Sequence, residues 1–282
     1  MDKNELIQLA ANRDLISGIY NYCDRWCERC PFTKRCLVFA TEKADGAFDD
    51  SEIDDINNAR FWQKLESTFK QVRRMIVDWA EEEGIDLETL EGEVLLADRE
   101  QQRQDAKEHQ LSLAARRYAK LVQGWFEQEL AIERSVHDDT TGAAHSAEED
   151  IDVSDAIEVI RWYQFFIPSK IFRALMSFEH HSSTGAPVPD EPGEAAGPVA
   201  DEMFVEISGN HADGSAKIAL IAIDRSLNAW HILQRSLPDK TDSIVPMLVT
   251  LDRIRNATEA TFPKARDFMR PGFDETQSEF VS

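Results

Sequence analysis

The 282-residue sequence has no uninterrupted apolar stretch approaching 18 residues, the length typical of a transmembrane helix. The opening residues MDKNELIQLAANRD also lack the basic head and apolar run of a secretory signal. Basic side chains are few, with 31 Lys and Arg against 53 Asp and Glu, a formal net charge of -22. Such a field repels polyphosphates, which argues against nucleic acid and anionic membranes as partners. We expect a soluble, cytoplasmic protein without a membrane partner; a redox or protein partner is possible and not identified by the sequence.

Glycine is also scarce, at 12 of 282 residues, and alternating strand-like runs are almost absent. Apolar residues recur at helical spacing instead. The sequence therefore predicts an all-α fold, a bundle of five to six helices with an N-terminal four-cysteine metal loop. The expected organisation is an N-terminal helix and cysteine segment (1–50), a helical bundle (51–179), a flexible loop or linker (180–201) and C-terminal helices that complete the bundle (202–282).

The first two long helices are predicted from their apolar stripes. The first follows Ser51 and ends near Gly84, and we expect its stripe to pack against a partner helix; the stripe consists of Leu65, Phe69, Val72, Ile76 and Trp79. An acidic connection (84–100) leads to the second helix, which ends near His137 and forms an antiparallel pair with the first. The stripe of the second helix consists of Ala114, Tyr118, Leu121, Trp125 and Phe126.

Three further helices are predicted in the second half of the chain. One begins at Ser154, after a polar loop (137–151), and contains Pro168. Another begins around Ser215, after a short extended piece with the sequence MFVEI, and ends before Pro238. The last follows Asp242 to about Phe262.

The four cysteines of the chain all lie within YCDRWCERCPFTKRC, at Cys23, Cys27, Cys30 and Cys36. The spacing C-x3-C-x2-C places the first three on one stripe of a continuing helix. Pro31 then tends to end that helix, and Cys36 returns from the following loop as a fourth ligand. Four thiolates that converge on one point are typical of a metal site.

The choice of metal is weighed from the same segment. In a helix, Cys23 and Cys30 would be separated by about 10 Å along the axis, which suits a wide 4Fe-4S cluster better than zinc, whose sulfurs lie near 2.3 Å from the metal. The nearby cations outnumber the two acids, Asp24 and Glu28, by two, and they would offset the negative charge of either site. These cations are Arg25, Arg29, Lys34 and Arg35. Zinc, disulfides and free buried thiols remain alternatives.

The segment CERCPFTKRC resembles the C-x2-C-P-x4-C end of the iron–sulfur loop in helix-hairpin-helix DNA glycosylases, which are all-helical proteins with a 4Fe-4S cluster. The likeness covers about fourteen residues. The first cysteine interval has three residues where that family has six, and no glycine-rich hairpin with a following catalytic Asp is found. The resemblance implies a cluster and no glycosylase activity. The first three cysteines also match the C-x3-C-x2-C of radical S-adenosylmethionine enzymes, whose α/β barrel an all-helical chain lacks.

Helical bundles also build di-metal centres from inward-facing carboxylates and histidines. The candidates here are Glu66, Glu108, His109, Glu158, Asp224 and His231. Asp224 and His231 are seven residues apart and share a helix face. The simpler expectation is that these groups are solvated or hydrogen-bonded, with a buried Asp224 finding a donor such as Arg161.

Three functions follow from these patterns. The first is an iron–sulfur protein with a redox, sensing or structural cluster, and the second is a zinc-stapled interaction module. The third is a helical-bundle metalloenzyme with a second metal centre. Common nucleotide-binding and hydrolase motifs are absent, and no catalytic residue is assigned.

Overall fold

The structure is a computed structural model that describes residues 8–44, 57–82, 84, 86–87, 92–136, 147–183 and 198–274. These residues are largely helical and include no strand, which confirms the predicted all-α class. The chain divides into two compact units, one formed by Met1–Ala97 with Arg270–Ser282 and the other by Asp98–Met269. No helix within the described ranges has the length and apolarity needed to cross a membrane.

The longer α-helices are numbered here in chain order. They are α1 (Leu37–Ala44), α2 (Ala59–Glu82), α3 (Gly92–Glu108), α4 (Gln110–Val136), α5 (Ala147–Ser183), α6 (Pro198–Ser236) and α7 (Thr241–Thr261). Short 3-10 turns span Ile19–Asn21, Cys27–Arg29, Thr33–Arg35, Pro238–Lys240 and Ala265–Asp267.

The second unit is organised around four long helices. Contacts join α4 to α5, α5 to α6, α6 to α7 and α7 back to α4, so the four form a closed bundle around one apolar core. Fully buried side chains of α5, α6 and α7 fill that core, among them Ile160, Ile167, Ile171, Leu220, Ile223 and Leu251. Their burial is the main favourable term for this unit.

Aromatic side chains at the core of the second unit also satisfy one another's polar groups. The indole of Trp230 is completely buried, and its Nε1–H donates to the hydroxyl of Tyr118 at 3.0 Å. Trp125 lies edge-on to Trp230 with the ring centroids 5.1 Å apart, and its own Nε1–H donates to Ser243 Oγ at 2.9 Å. The predicted packing role of Tyr118 and Trp125 is confirmed.

Several helix boundaries match the predictions and others do not. Helix α4 ends at Val136 and α7 spans Thr241–Thr261, as expected. Residues 84–100 are not a plain connection, because α3 begins at Gly92. Helix α5 begins at Ala147 rather than Ser154, since the AEED start consists of a strong helix former and acids that suit a helix N-terminus.

The segment MFVEI is helical and not extended, because it lies inside α6, which begins at Pro198. Proline suits the first turn of a helix, where its missing N–H costs nothing. Much of the predicted loop, residues 184–197, and the expected N-cap Ser51 lie outside the described residues.

Helix α2 differs from its prediction in a way that bears on function. Its end is as expected, because Gly84 follows with φ 69° and its N–H donates to Glu81 O at 3.3 Å. Its apolar stripe, however, is not packed against a partner helix. Phe69, Val72, Ile76 and Trp79 each expose between 47% and 66% of their surface. The predicted pairing of this face with α4 stays a prediction, because the two helices belong to different units.

Candidate metal centre

The backbone around the cysteines is a series of tight turns. Cys27 begins the 3-10 turn Cys27–Arg29, and Cys36 follows the turn Thr33–Arg35 directly before α1. Between Cys23 and Cys27, Arg25 adopts φ 60°, a left-handed conformation that interrupts a right-handed helix. The prediction of one continuing helix through Cys23, Cys27 and Cys30 is therefore wrong, and the separation deduced from helical rise does not apply.

Pro31 acts on the chain as predicted. Cys30, the residue before it, has extended geometry with φ -85° and ψ 123°, because the proline ring clashes with a helical conformation at the preceding residue. Cys36 is also extended, with φ -109° and ψ 120°. The turn Thr33–Arg35 lies between these two cysteines, and Cys36 lines the same pocket as the first three.

All four cysteines line one pocket in the first unit. The pocket is partly open to solvent, and its cavity volume is only about 20 Å³. Each cysteine is half-buried and none forms a disulfide. Aromatic and aliphatic side chains make up much of the remaining wall, including Ile19, Tyr20, Trp26, Phe32, Val38, Phe39 and Phe273. The structure thus brings together the four residues that the sequence selected and adds an apolar wall that it did not.

Backbone groups lie within hydrogen-bonding range of two of the sulfurs. The Phe32 N–H donates to Cys30 Sγ at 3.4 Å. The Cys23 thiol donates to Tyr20 O at 3.5 Å. An N–H aimed at a sulfur stabilises the thiolate form that binds metals, whereas the contact of Cys23 is one that only a protonated thiol makes.

Burial raises the pKa of the Cys27 thiol to about 11, with Glu42 adding to the rise and Arg25 opposing it. The neighbouring Cys23 and Cys30 raise this pKa further. Arg25 Nη2 lies 2.9 Å from Glu42 Oε1, so much of its charge is directed at that carboxylate. A cationic metal centre would reverse the balance at Cys27, because metal binding deprotonates a coordinating thiol.

The cations of the segment are held in place by specific contacts. The Arg29 guanidinium stacks 4.0 Å above the ring centroid of the buried Trp26. Arg35 Nε–H donates to Asp14 O at 3.1 Å. These contacts hold the Arg29 side chain against a ring of the pocket wall and the Arg35 side chain against the backbone at Asp14.

A turn near the end of the described chain completes the pocket. Phe273 lines it and meets Phe32 edge-on, with the ring centroids 5.0 Å apart. Gly272 has φ 74°, and a Cβ added there would lie 2.7 Å from Ile16 Cδ1. Arg270 pairs with Asp274 through Nη2 and Oδ1 at 2.8 Å. The role of these residues was missed, since the sequence RPGFD gives only a turn signal and no indication of what it contacts.

In the part of the chain that the structure describes, no three His, Cys, Asp or Glu side chains are placed to hold a single metal ion. A pocket walled by four cysteines fits a multi-atom cluster in its donor set, because cysteine thiolates are the usual ligands of iron–sulfur clusters.

The residues considered for a second metal centre are dispersed. Glu66 lies on α2, where Lys70, 2.6 Å away, lowers the pKa of its carboxyl by hydrogen bonding. His109 Nδ1 accepts the Leu111 N–H at 3.2 Å, capping α4. Glu158 and His231 are exposed.

Asp224 pairs with an arginine, although not with the one expected. Arg266 Nη1 lies 2.6 Å from its Oδ2, and this hydrogen bond raises the pKa of Arg266. Arg161 instead stacks 4.7 Å from the centroid of Phe126. Both carboxylate and guanidinium are partly exposed, so Asp224 belongs to a surface ion pair and not to the bundle core.

Compared with known proteins, the chain matches no family model, no curated protein and no solved structure.

Proposed function

We propose that this chain is an iron–sulfur protein that binds a 4Fe-4S cluster through Cys23, Cys27, Cys30 and Cys36. The cluster would serve electron transfer, redox sensing or the structure of the first unit. One observation carries the proposal: the four cysteines, which lie on a segment with two short 3-10 turns, line a single pocket.

The surroundings of the pocket support a redox or structural cluster. Iron–sulfur clusters supply one-electron chemistry, at potentials set by hydrogen bonds to sulfur, charge and solvent exposure. Here the Phe32 N–H is directed at Cys30 Sγ, and the rings of Trp26 and Phe273 form part of the pocket wall. Arg25 and Arg29 add positive charge in an otherwise acidic protein.

Zinc is the second candidate, because the turns remove the helical separation that argued against it. Zinc holds four sulfurs near 2.3 Å from one atom. Four cysteine thiolates are ligands of zinc as well as of iron–sulfur clusters, so metal and sulfide analysis is what separates the two. A colourless protein that contains zinc would support the alternative function, a zinc-stapled interaction module.

Anaerobic purification with metal and sulfide analysis tests the proposal. We expect brown protein with about four iron and four acid-labile sulfide per chain, and an electron paramagnetic resonance signal that appears or changes on dithionite reduction. A colourless protein with one zinc and no sulfide would refute it. Apo protein that gains neither colour nor sulfide after anaerobic reconstitution with iron and sulfide would refute it as well.

A further inference from the structure

We propose that the exposed apolar face of α2 binds a second copy of this chain, with the two α2 helices antiparallel. This inference is independent of the metal. The face is formed by six side chains, spaced 3, 4, 3, 4 and 3 residues apart: Trp62, Leu65, Phe69, Val72, Ile76 and Trp79. Over nearly five turns, this spacing produces a straight apolar seam that is suited to helix–helix packing.

The side chains of the seam are exposed to an extent that is unusual for a row of large apolar residues. Leu65 is half-buried, and the other five side chains expose from 47% to 66% of their surface. The helix has 24 residues, and the seam from Trp62 to Trp79 covers about 26 Å of its length. A contiguous row of large apolar side chains of this length on a charged protein marks an interaction surface.

The symmetry of the seam indicates which partner fits. An interface between two identical chains related by a two-fold axis must be complementary to itself. Reversing α2 about its midpoint between Phe69 and Val72 maps the seam onto itself. The resulting layers pair Trp62 with Trp79, Leu65 with Ile76 and Phe69 with Val72 of the second copy. The Phe69–Val72 layer combines a large with a small side chain on both sides of the axis, which favours interdigitation.

Charges beside the seam agree with the same arrangement. Glu66 and Arg73 lie on one flank of the seam, where both line a shallow groove with Phe69. In a two-fold antiparallel pair, the same flanks of the two helices meet. Glu66 of one chain then lies within two residues, about 3 Å along the axis, of Arg73 of the other. The antiparallel dimer therefore has two symmetry-related ion pairs between Glu66 of one chain and Arg73 of the other. A parallel pair of helices would not bring these flanks together.

A bilayer is the other surface that an amphipathic helix can cover. The polar side of α2 mixes basic residues with Asp78, Glu81 and Glu82, and the whole chain carries a net charge of -22. Repulsion from anionic lipid therefore opposes membrane binding, while the self-complementary flank favours a second copy.

Sedimentation equilibrium of the full chain measures the association. We expect a dimer, and we expect Phe69→Asp to raise its dissociation constant by about 30-fold or more, because it places a charge in the central layers. Ser67→Asp adds the same charge to the exposed polar side of α2 and should leave the dissociation constant within about 3-fold of wild type. Circular dichroism verifies that both variants keep their helix content.

Charge exchange distinguishes the antiparallel arrangement. Glu66→Arg and Arg73→Glu should each weaken the dimer, and the double variant should recover most of the affinity. The double variant also lacks the Glu66–Lys70 pair within the helix, so recovery reports contacts between chains. A monomer at all concentrations would overturn the proposal, as would a dimer indifferent to Phe69→Asp or unrestored by the double exchange. Binding of monomers to phosphatidylserine vesicles would overturn it in favour of a membrane surface.

Discussion

The ring of Phe273 lies edge-on against that of Phe32, with the centroids 5.0 Å apart, so a turn at the far end of the described sequence forms part of the cysteine pocket. Arg270 and Asp274 close this turn through paired hydrogen bonds of 2.9 and 2.8 Å. Gly272 lets its backbone approach Ile16. The first unit is therefore assembled from both ends of the described chain.

Gly272→Ala is expected to loosen this turn. A Cβ at this position would lie 2.7 Å from Ile16 Cδ1, and its φ of 74° disfavours any side chain. Hydrogen exchange of residues 16–36, followed by mass spectrometry, should show faster exchange than in wild type. The steric contact should cost about 1–3 kcal/mol beyond the cost of the left-handed backbone alone.

Gly84→Ala is the matched control for that experiment. Gly84 has nearly the same φ, 69°, but nothing lies within 4 Å of an added Cβ. Gly84→Ala should lower local stability only by the cost of a left-handed backbone conformation at a residue with a side chain, about 1–2 kcal/mol. Equal effects of the two substitutions would mean that the contact with Ile16 is unimportant.

Replacement of single cysteines should remove bound metal. Under the proposed function, Cys27→Ser and Cys36→Ser each remove one of the four proposed ligands, so each variant should lose metal and have a less stable first unit. Thr33→Ser, which alters another pocket residue, should retain it. Metal-to-protein ratios measured by plasma mass spectrometry decide the matter, and unchanged metal in either cysteine variant excludes that residue as a ligand.

The double substitution of Asp224→Ala and His231→Ala should leave the metal content unchanged. Asp224 forms a partly exposed ion pair with Arg266, and such pairs contribute about 0–1 kcal/mol. We therefore expect a small loss of stability in urea unfolding. Loss of metal in this variant, with all four cysteines still bound to theirs, would instead favour a second metal centre in the bundle.

Tyr118→Phe should destabilise the second unit more than Tyr163→Phe. The Tyr118 hydroxyl accepts the N–H of the fully buried Trp230, and an orphaned buried donor costs about 1–3 kcal/mol. Tyr163 instead accepts from Arg225, at 2.5 Å, and Arg225 is exposed, so water can replace that acceptor. Urea unfolding of both variants tests the order, and equal losses would contradict it.

The sequence by itself determined the all-α class, the positions of α4 and α7, and the clustering of the four cysteines in one short segment. These features depend on local causes: helical periodicity, few glycines and the close spacing of four thiols. Pro31 likewise fixed the extended conformation of Cys30 by its local clash with the preceding residue.

The tertiary structure decided which residues the side chains of each sequence pattern contact. The spacing of the cysteines predicted that three of them lie on one helix. The left-handed conformation of Arg25 and the short 3-10 turns replace that helix with an irregular segment. Phe273 joins that pocket across a separation in sequence that no local signal spans. The seam of α2 has the periodicity of a buried face and is exposed, because periodicity specifies that a face is apolar and only the packing of the whole chain specifies its partner.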